Sequence, residues 1–295
     1  MRHQVASRLA AVDLTLSPRP QDWAVAAVAL HPASTLKEAT TALGDVQVLQ
    51  ALTAQEREKL AQALVGLYPD DSGEQVWTAP RPDRLTATHL ITLADQAASQ
   101  QEWLINLTAV AGTDRFENAM QAATVLYRCL SASGSQRGKA RIQAALEQLI
   151  VDYPAGYVPA LTLIAPKEFT NVIITAIGDE RYDINALNQF DVLLVDMRPD
   201  FTSTPIAVAV ARRLEAATRP GPDATEEQRA EHAAELRILF DRLHVNGEIE
   251  KALATCQKAV AAYRELVQAN SSAYLSDLAN TLCSLSVYLS EGGRH

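Results

Sequence analysis

The sequence predicts an all-α protein whose C-terminal part is a solenoid of stacked helical pairs. Three observations predict this. The chain is rich in Ala and Leu while aromatic residues make up only 5%, a balance that suits helix packing better than a β-sandwich, which favours Val, Ile, Tyr and Phe. Cap residues stand ahead of runs with apolar spacings of three and four, most clearly at Thr53. A leucine–glycine pattern also recurs after 46 residues near the C-terminus.

Composition bounds the rest. The 295 residues suit about two domains, and 48% hydrophobic with 21% charged residues is ordinary for a globular chain with a sizeable core. A net charge of −9 argues against broad binding to nucleic acid or anionic membrane, which use clustered Lys and Arg. Cys129, Cys256 and Cys283 are widely spaced and form no CxxC, as in a reduced cytoplasmic protein without a zinc site. The opening MRHQVASRLAAVDLTLS lacks the apolar stretch of a signal peptide. No run of about 18 apolar residues predicts a membrane span.

Residues 1–50 read as three short helices. QDWAVAAVAL carries Trp23, Val25, Val28 and Leu30 and ends at His31-Pro32; Ser34 caps the next helix, which stops at Gly44. Thr53 and Glu56 form a capping box ahead of Leu60, Leu64 and Leu67. A turn at Pro69–Gly73, a short strand Gln75–Trp77, the Pro-rich corner APRPDRL and a helix through Leu90, Leu93 and Ala97 follow. Three helices, a short strand and another helix suggest a winged-helix-like module over residues 1–99. Residues 100–217 read as a linker domain of helical pairs, broken at Gly112, Ser131–Gly138, Pro154–Pro159, Gly178–Asp183 and Pro199–Pro205. Residues 218–225 form a Pro/Gly linker to the repeats of residues 226–295.

The repeat is the strongest signal. Leu236, Leu239, Leu243 and Gly247 return as Leu282, Leu285, Leu289 and Gly293. The unit is a leucine-striped helix, a turn closed by Gly, and a second helix carrying Ala252, Cys256, Ala259, Val260, Tyr263 and Leu266. In this register the last repeat is truncated after its first helix. That helix is expected to expose part of its apolar face unless a following repeat or another chain covers it.

The run from Gly247 to His295, GEIEKALATCQKAVAAYRELVQANSSAYLSDLANTLCSLSVYLSEGGRH, resembles the tetratricopeptide repeats of the signal-transduction ATPases with numerous domains, the STAND class. LAQALVGLYPDDSGEQVWTAPRPDRLTATHLI, residues 60–91, resembles their winged-helix region. The resemblance implies a protein–protein interaction and regulatory segment, with a nucleotide-binding domain on the same or another chain as one partner. Residues on the first helix of such repeats face the concave side, which marks Arg237, Asp241, Asn280 and Ser284 as partner-binding candidates. Two features depart from the family: its phosphate-binding loop has no counterpart here, and Cys283-Ser284 stands where its repeats carry paired Asn.

Catalytic and cofactor chemistry finds no carrier, so no catalytic, metal or cofactor residue is expected. GSQRGKA, Gly134–Ala140, has only three residues between its glycines and ends in Ala140 where a phosphate loop needs a hydroxyl. VLLVD, Val192–Asp196, has the look of an apolar strand ending in an Mg²⁺-binding Asp, but the stripe Leu187, Phe190, Leu194 and Met197 favours a buried helix; VIITAIGDE, Val172–Glu180, is β-branched enough for a strand, with a helix closed by Gly178 the preferred reading. The six histidines show no metal-ligand spacing, and His89 reads as a satisfied surface residue. Trp77, Arg81, Asp83 and Arg84 are read as a network fixing the corner. The alternative role of Arg81, Asp83 and Arg84 is the recognition surface of a DNA-binding regulator, and a free-standing adaptor is a third reading.

Overall fold

The computed structural model describes residues 2–31, 33–68, 76–77, 83–196 and 203–292. The described residues form fifteen α-helices and a short 3-10 turn, Gln47–Leu49. Their one β-type pairing is an antiparallel bridge between Ala33 and Trp77. The chain divides into two compact units, residues 1–165 and 166–295.

The first unit holds α1 (Arg2–Ala11), α2 (Pro18–Leu30), α3 (Leu36–Asp45), α4 (Ala54–Val65), α5 (Asp83–Gln96), α6 (Gln100–Ala111), α7 (Phe116–Ser131), α8 (Gln136–Asp152) and α9 (Pro154–Ile164). α2 is its centre: every residue from Gln21 to Leu30 is buried. A helix that is Ala and Val on all sides has no polar face to present to water and sinks among its neighbours, here α5, α6 and α7. Trp23 of α2 meets Trp103 of α6 with ring centroids 5.4 Å apart.

Local signals set most helix starts. Both halves of the Thr53–Glu56 capping box form. Thr35, not Ser34, caps α3: its hydroxyl accepts from the Glu38 N–H, while the Ser34 N–H donates back to the Glu38 carboxylate. The break expected over Pro154–Pro159 is confined to Tyr153. Pro154 opens α9 and Pro159 lies inside it, because burial of Gly156–Thr162 outweighs the backbone hydrogen bond that Pro159 cannot make.

The second unit holds α10 (Pro166–Gly178), α11 (Ile184–Asp196), α12 (Thr204–Ala217), α13 (Glu226–Val245), α14 (Ile249–Ala269) and α15 (Ser271–Gly292). Val172–Gly178 and Val192–Asp196 are thus helical, and Leu187, Phe190 and Leu194 form the buried stripe of α11. Met197 lies outside the described residues. α13 starts on a second capping box, Thr225 with Gln228, a T-x-x-Q readable in the sequence. It ends in a Schellman motif: Gly247 adopts φ +76°, its N–H donates to the His244 carbonyl, and the Glu248 N–H donates to that of Leu243.

α13, α14 and α15 run antiparallel in sequence order. At one end Phe240 and Leu243 pack with Ala252 and Cys256; at the other Ala233 packs with Tyr263 and Leu266. Tyr274 and Leu278 join that second end, and Tyr288 the first, so α13 and α15 are parallel.

The unit boundary at 165/166 differs from the boundaries expected at 99 and 217. α5 packs on α7 and α8, which ties residues beyond 99 to the first unit. α12 supplies Val208 and Ala211 to the same cluster as Leu239 and Phe240, so residues 218–225 join two packed helices within one unit.

Candidate functional site

The candidate partner surface lies on α13 and α15. Arg237 and Asp241, one turn apart on α13, form a half-exposed ion pair of 3.7 Å. Burial pushes the Asp241 carboxyl up, against the pull of Arg237 and His244. Arg237 also bonds to the Tyr263 hydroxyl of α14, whose pKa is raised first by burial and then by Asp277 of α15. Asn280 is exposed on α15 and Ser284 is half-buried there. The four candidates therefore sit on two parallel helices as a pair on each.

Tyr288 fixes the spacing between those helices. Its ring stands edge-on to Phe240 at 6.0 Å and to His244 at 5.0 Å. Its hydroxyl donates to the Ile249 carbonyl at 2.8 Å, and Cys256 lies buried beside Thr281. Glu248, in the turn between α13 and α14, accepts from Lys251 at 2.6 Å, Arg212 at 2.7 Å and Asn246 at 2.9 Å. These donors, Lys251 first, hold its carboxyl below the usual range.

A half-buried charge cluster lies beside the candidate surface. Arg242 pairs with Asp191 of α11 and donates to the Ala207 carbonyl of α12 at 3.0 Å. Glu235, two turns before Arg242 on the same face of α13, has a carboxylate oxygen out of solvent with no hydrogen-bond partner. Burial first, and Asp191 second, raise its pKa. Asp191 and Arg242 are 51 positions apart, and no spacing rule in the sequence couples them. Asp241 and Arg242 also line a mostly apolar cavity of about 250 Å³ with Leu194, Val195, Ala207 and Val245.

In the first unit only part of the corner network is placed. Trp77 is buried, its indole N–H donates to the His31 carbonyl at 2.8 Å, and the Val76 N–H donates to Ala33. Arg81 and the side chains of Asp83 and Arg84 lie outside the described residues, as do the turn Pro69–Gly73 and Gln75. His89 is half-buried, its Nε2 3.0 Å from the Asp22 carbonyl, so it ties α5 to α2 and is not a free surface group. Gly134–Ala140 is a helix–helix turn, with the Ser135 hydroxyl accepting from the Gly138 N–H at the start of α8.

No known family matches this chain, and no curated protein or solved structure does. No helix among the described residues is long and apolar enough to cross a membrane.

Proposed function

We propose that this chain is a non-catalytic protein–protein interaction and regulatory segment of a STAND-type cytoplasmic signalling protein, which holds a protein partner through tetratricopeptide-type repeats at its C-terminal end. The observation that carries the reading is the antiparallel α13–α14–α15 run, with its leucine-striped first helix, its Schellman turn at Gly247 and the parallel return of α15. Alternating antiparallel helices of this kind place successive first helices side by side and build a continuous binding face. On that face the Arg237–Asp241 pair is weakly held. A half-exposed ion pair contributes at most about 1 kcal/mol, so a partner carboxylate or amine can replace either member at little cost.

In this reading the winged-helix-like and linker parts of the chain pack on a nucleotide-binding domain of the same or another chain. Partner binding acts by changing the balance between two arrangements of the whole protein.

The test is site-specific photo-crosslinking in source cells. A photoreactive residue at Asn280 is expected to capture a discrete protein that the same residue at Lys258 does not. The adduct is expected to fall at least tenfold when Arg237→Glu is added. An adduct indifferent to Arg237→Glu, or none above the Lys258 control, sinks the reading. A salt-dependent shift of duplex DNA by the purified chain would replace it with the DNA-binding one.

A further inference from the structure

We propose that α15 is a self-association surface, on which the stripe Leu275, Ala279, Leu282, Ser286 and Leu289 packs antiparallel against the same stripe of a second copy of this chain. The stripe follows spacings of four, three, four and three, the periodicity of a coiled-coil seam. All five residues are exposed: Leu275 by 55%, Leu282 by 36% and Leu289 by 54%. A second stripe, Tyr274, Leu278, Thr281, Leu285 and Tyr288, lies one residue earlier at every step and packs against α13 and α14. α15 thus carries two adjacent seams, of which the second unit covers one.

Three features make a second copy the fitting cover. The first is charge. At −9 the chain repels its own kind. On α15, however, Asp277 is the only charged residue among the described side chains, and it stands about 200° around the helix from Leu275 at 3.6 residues per turn. Two copies meeting at the stripe bring no described charged side chain of α15 into the seam.

The second feature is size. Large and small residues alternate along the stripe, so it is complementary to itself. Antiparallel pairing sets Leu275 opposite Ser286 and Leu282 opposite Ala279, whereas parallel pairing stacks leucine on leucine and leaves gaps at the small residues. The resulting contact is a closed twofold one.

The third feature is polar satisfaction. The Ser286 hydroxyl already donates to the Cys283 carbonyl at 2.9 Å, so covering it strands no donor. A single helix face is a small interface, and the expected dissociation constant is about micromolar. The inference does not depend on the partner reading above.

Sedimentation equilibrium on the 295-residue chain tests it. The mass is expected to rise from 32.0 kDa toward twice that value as concentration passes through the micromolar range. Leu275→Glu/Leu289→Glu is expected to remain at 32.0 kDa with unchanged helicity, while Val287→Glu, equally exposed but off the stripe, still dimerises. A nitroxide on Cys283, the one exposed cysteine, gives a reading on the unmutated fold. With both labels near the twofold axis, it should show a distance between copies below roughly 25 Å, given a 1.5 Å rise per residue. A single 32.0 kDa species at all concentrations, no dipolar coupling, or dimer loss in Val287→Glu equal to that in the stripe variant would overturn the proposal.

Discussion

Gly138 shows how the absence of one side chain sets the approach of two helices. A Cβ at this position would lie 2.4 Å from the Ile91 carbonyl oxygen and 2.9 Å from the Ile91 Cγ2, so α8 can meet α5 at this distance only with glycine there. In the sequence this glycine belongs to a near-miss of a phosphate-binding loop; in the fold it is a packing residue. Gly138→Ala is expected to destabilise the protein by about 2 kcal/mol, the usual scale for forcing a methyl into a packed contact. Gly221→Ala, with nothing within 4 Å of its Cβ, is the control. Comparison of the two denaturant midpoints decides the matter, and equal midpoints would refute the packing role.

At the scale of elements, helix existence was legible wherever a cap met a periodic stripe. Thr53–Glu56 opens α4 as its sequence predicts, and Gly247 closes α13 with the positive φ that favours glycine. The elements that sequence rules mis-bounded are those where burial outweighs local preference, as with Pro159 inside α9. The expected strand over Gln75–Trp77 is only a bridge to Ala33 over its described residues.

The repeat behaved differently in its two copies. Leu236, Leu239 and Leu243 are buried, whereas Leu282 and Leu289 are exposed. Tyr288, which the 46-residue pattern does not include, is one of the residues that dock α15, beside Tyr274, Leu278, Thr281 and Leu285. Tyr288→Ala removes the edge contacts with Phe240 and His244 and the bond to Ile249. By the scale of buried aromatic truncations it should cost about 3–5 kcal/mol in the docking of α15. Hydrogen exchange should show faster exchange along α15 and unchanged protection in α5 and α8; uniform loss of protection would mean the ring supports far more than one helix.

At the scale of the molecule, the charge balance fixes a pH profile. Glu56 and Glu248 have depressed carboxyls, held down by the Thr53 N–H and by the Lys251 ammonium respectively. Their folded pKa values lie below the unfolded ones, so their stabilisation is present above the ordinary carboxylate range and is lost as pH falls through the folded values. Glu235 is the opposite case. Burial raises its folded pKa, so its ionised form costs stability at neutral pH, and the cost is relieved as pH falls through that raised value. The two signs oppose one another across the carboxylate range, while His31 and His232, both pushed down by burial, give up stability as pH falls below the ordinary histidine range. Glu235→Gln is expected to raise the melting temperature at pH 7 and to lose that advantage by about pH 4. A Glu235→Gln effect independent of pH would contradict this assignment.

The sequence by itself determined that this chain is helical and where most of its helices begin and end. Caps, glycine turns and apolar periods act within a few residues, so they can be read along the chain. Tertiary structure alone decided that the chain divides at 165/166, that Asp191 and Arg242 share one half-buried cluster, and that Tyr288 ties α15 to α13 and α14. Those outcomes depend on which faces meet across tens of residues, and no local spacing encodes a contact at that separation.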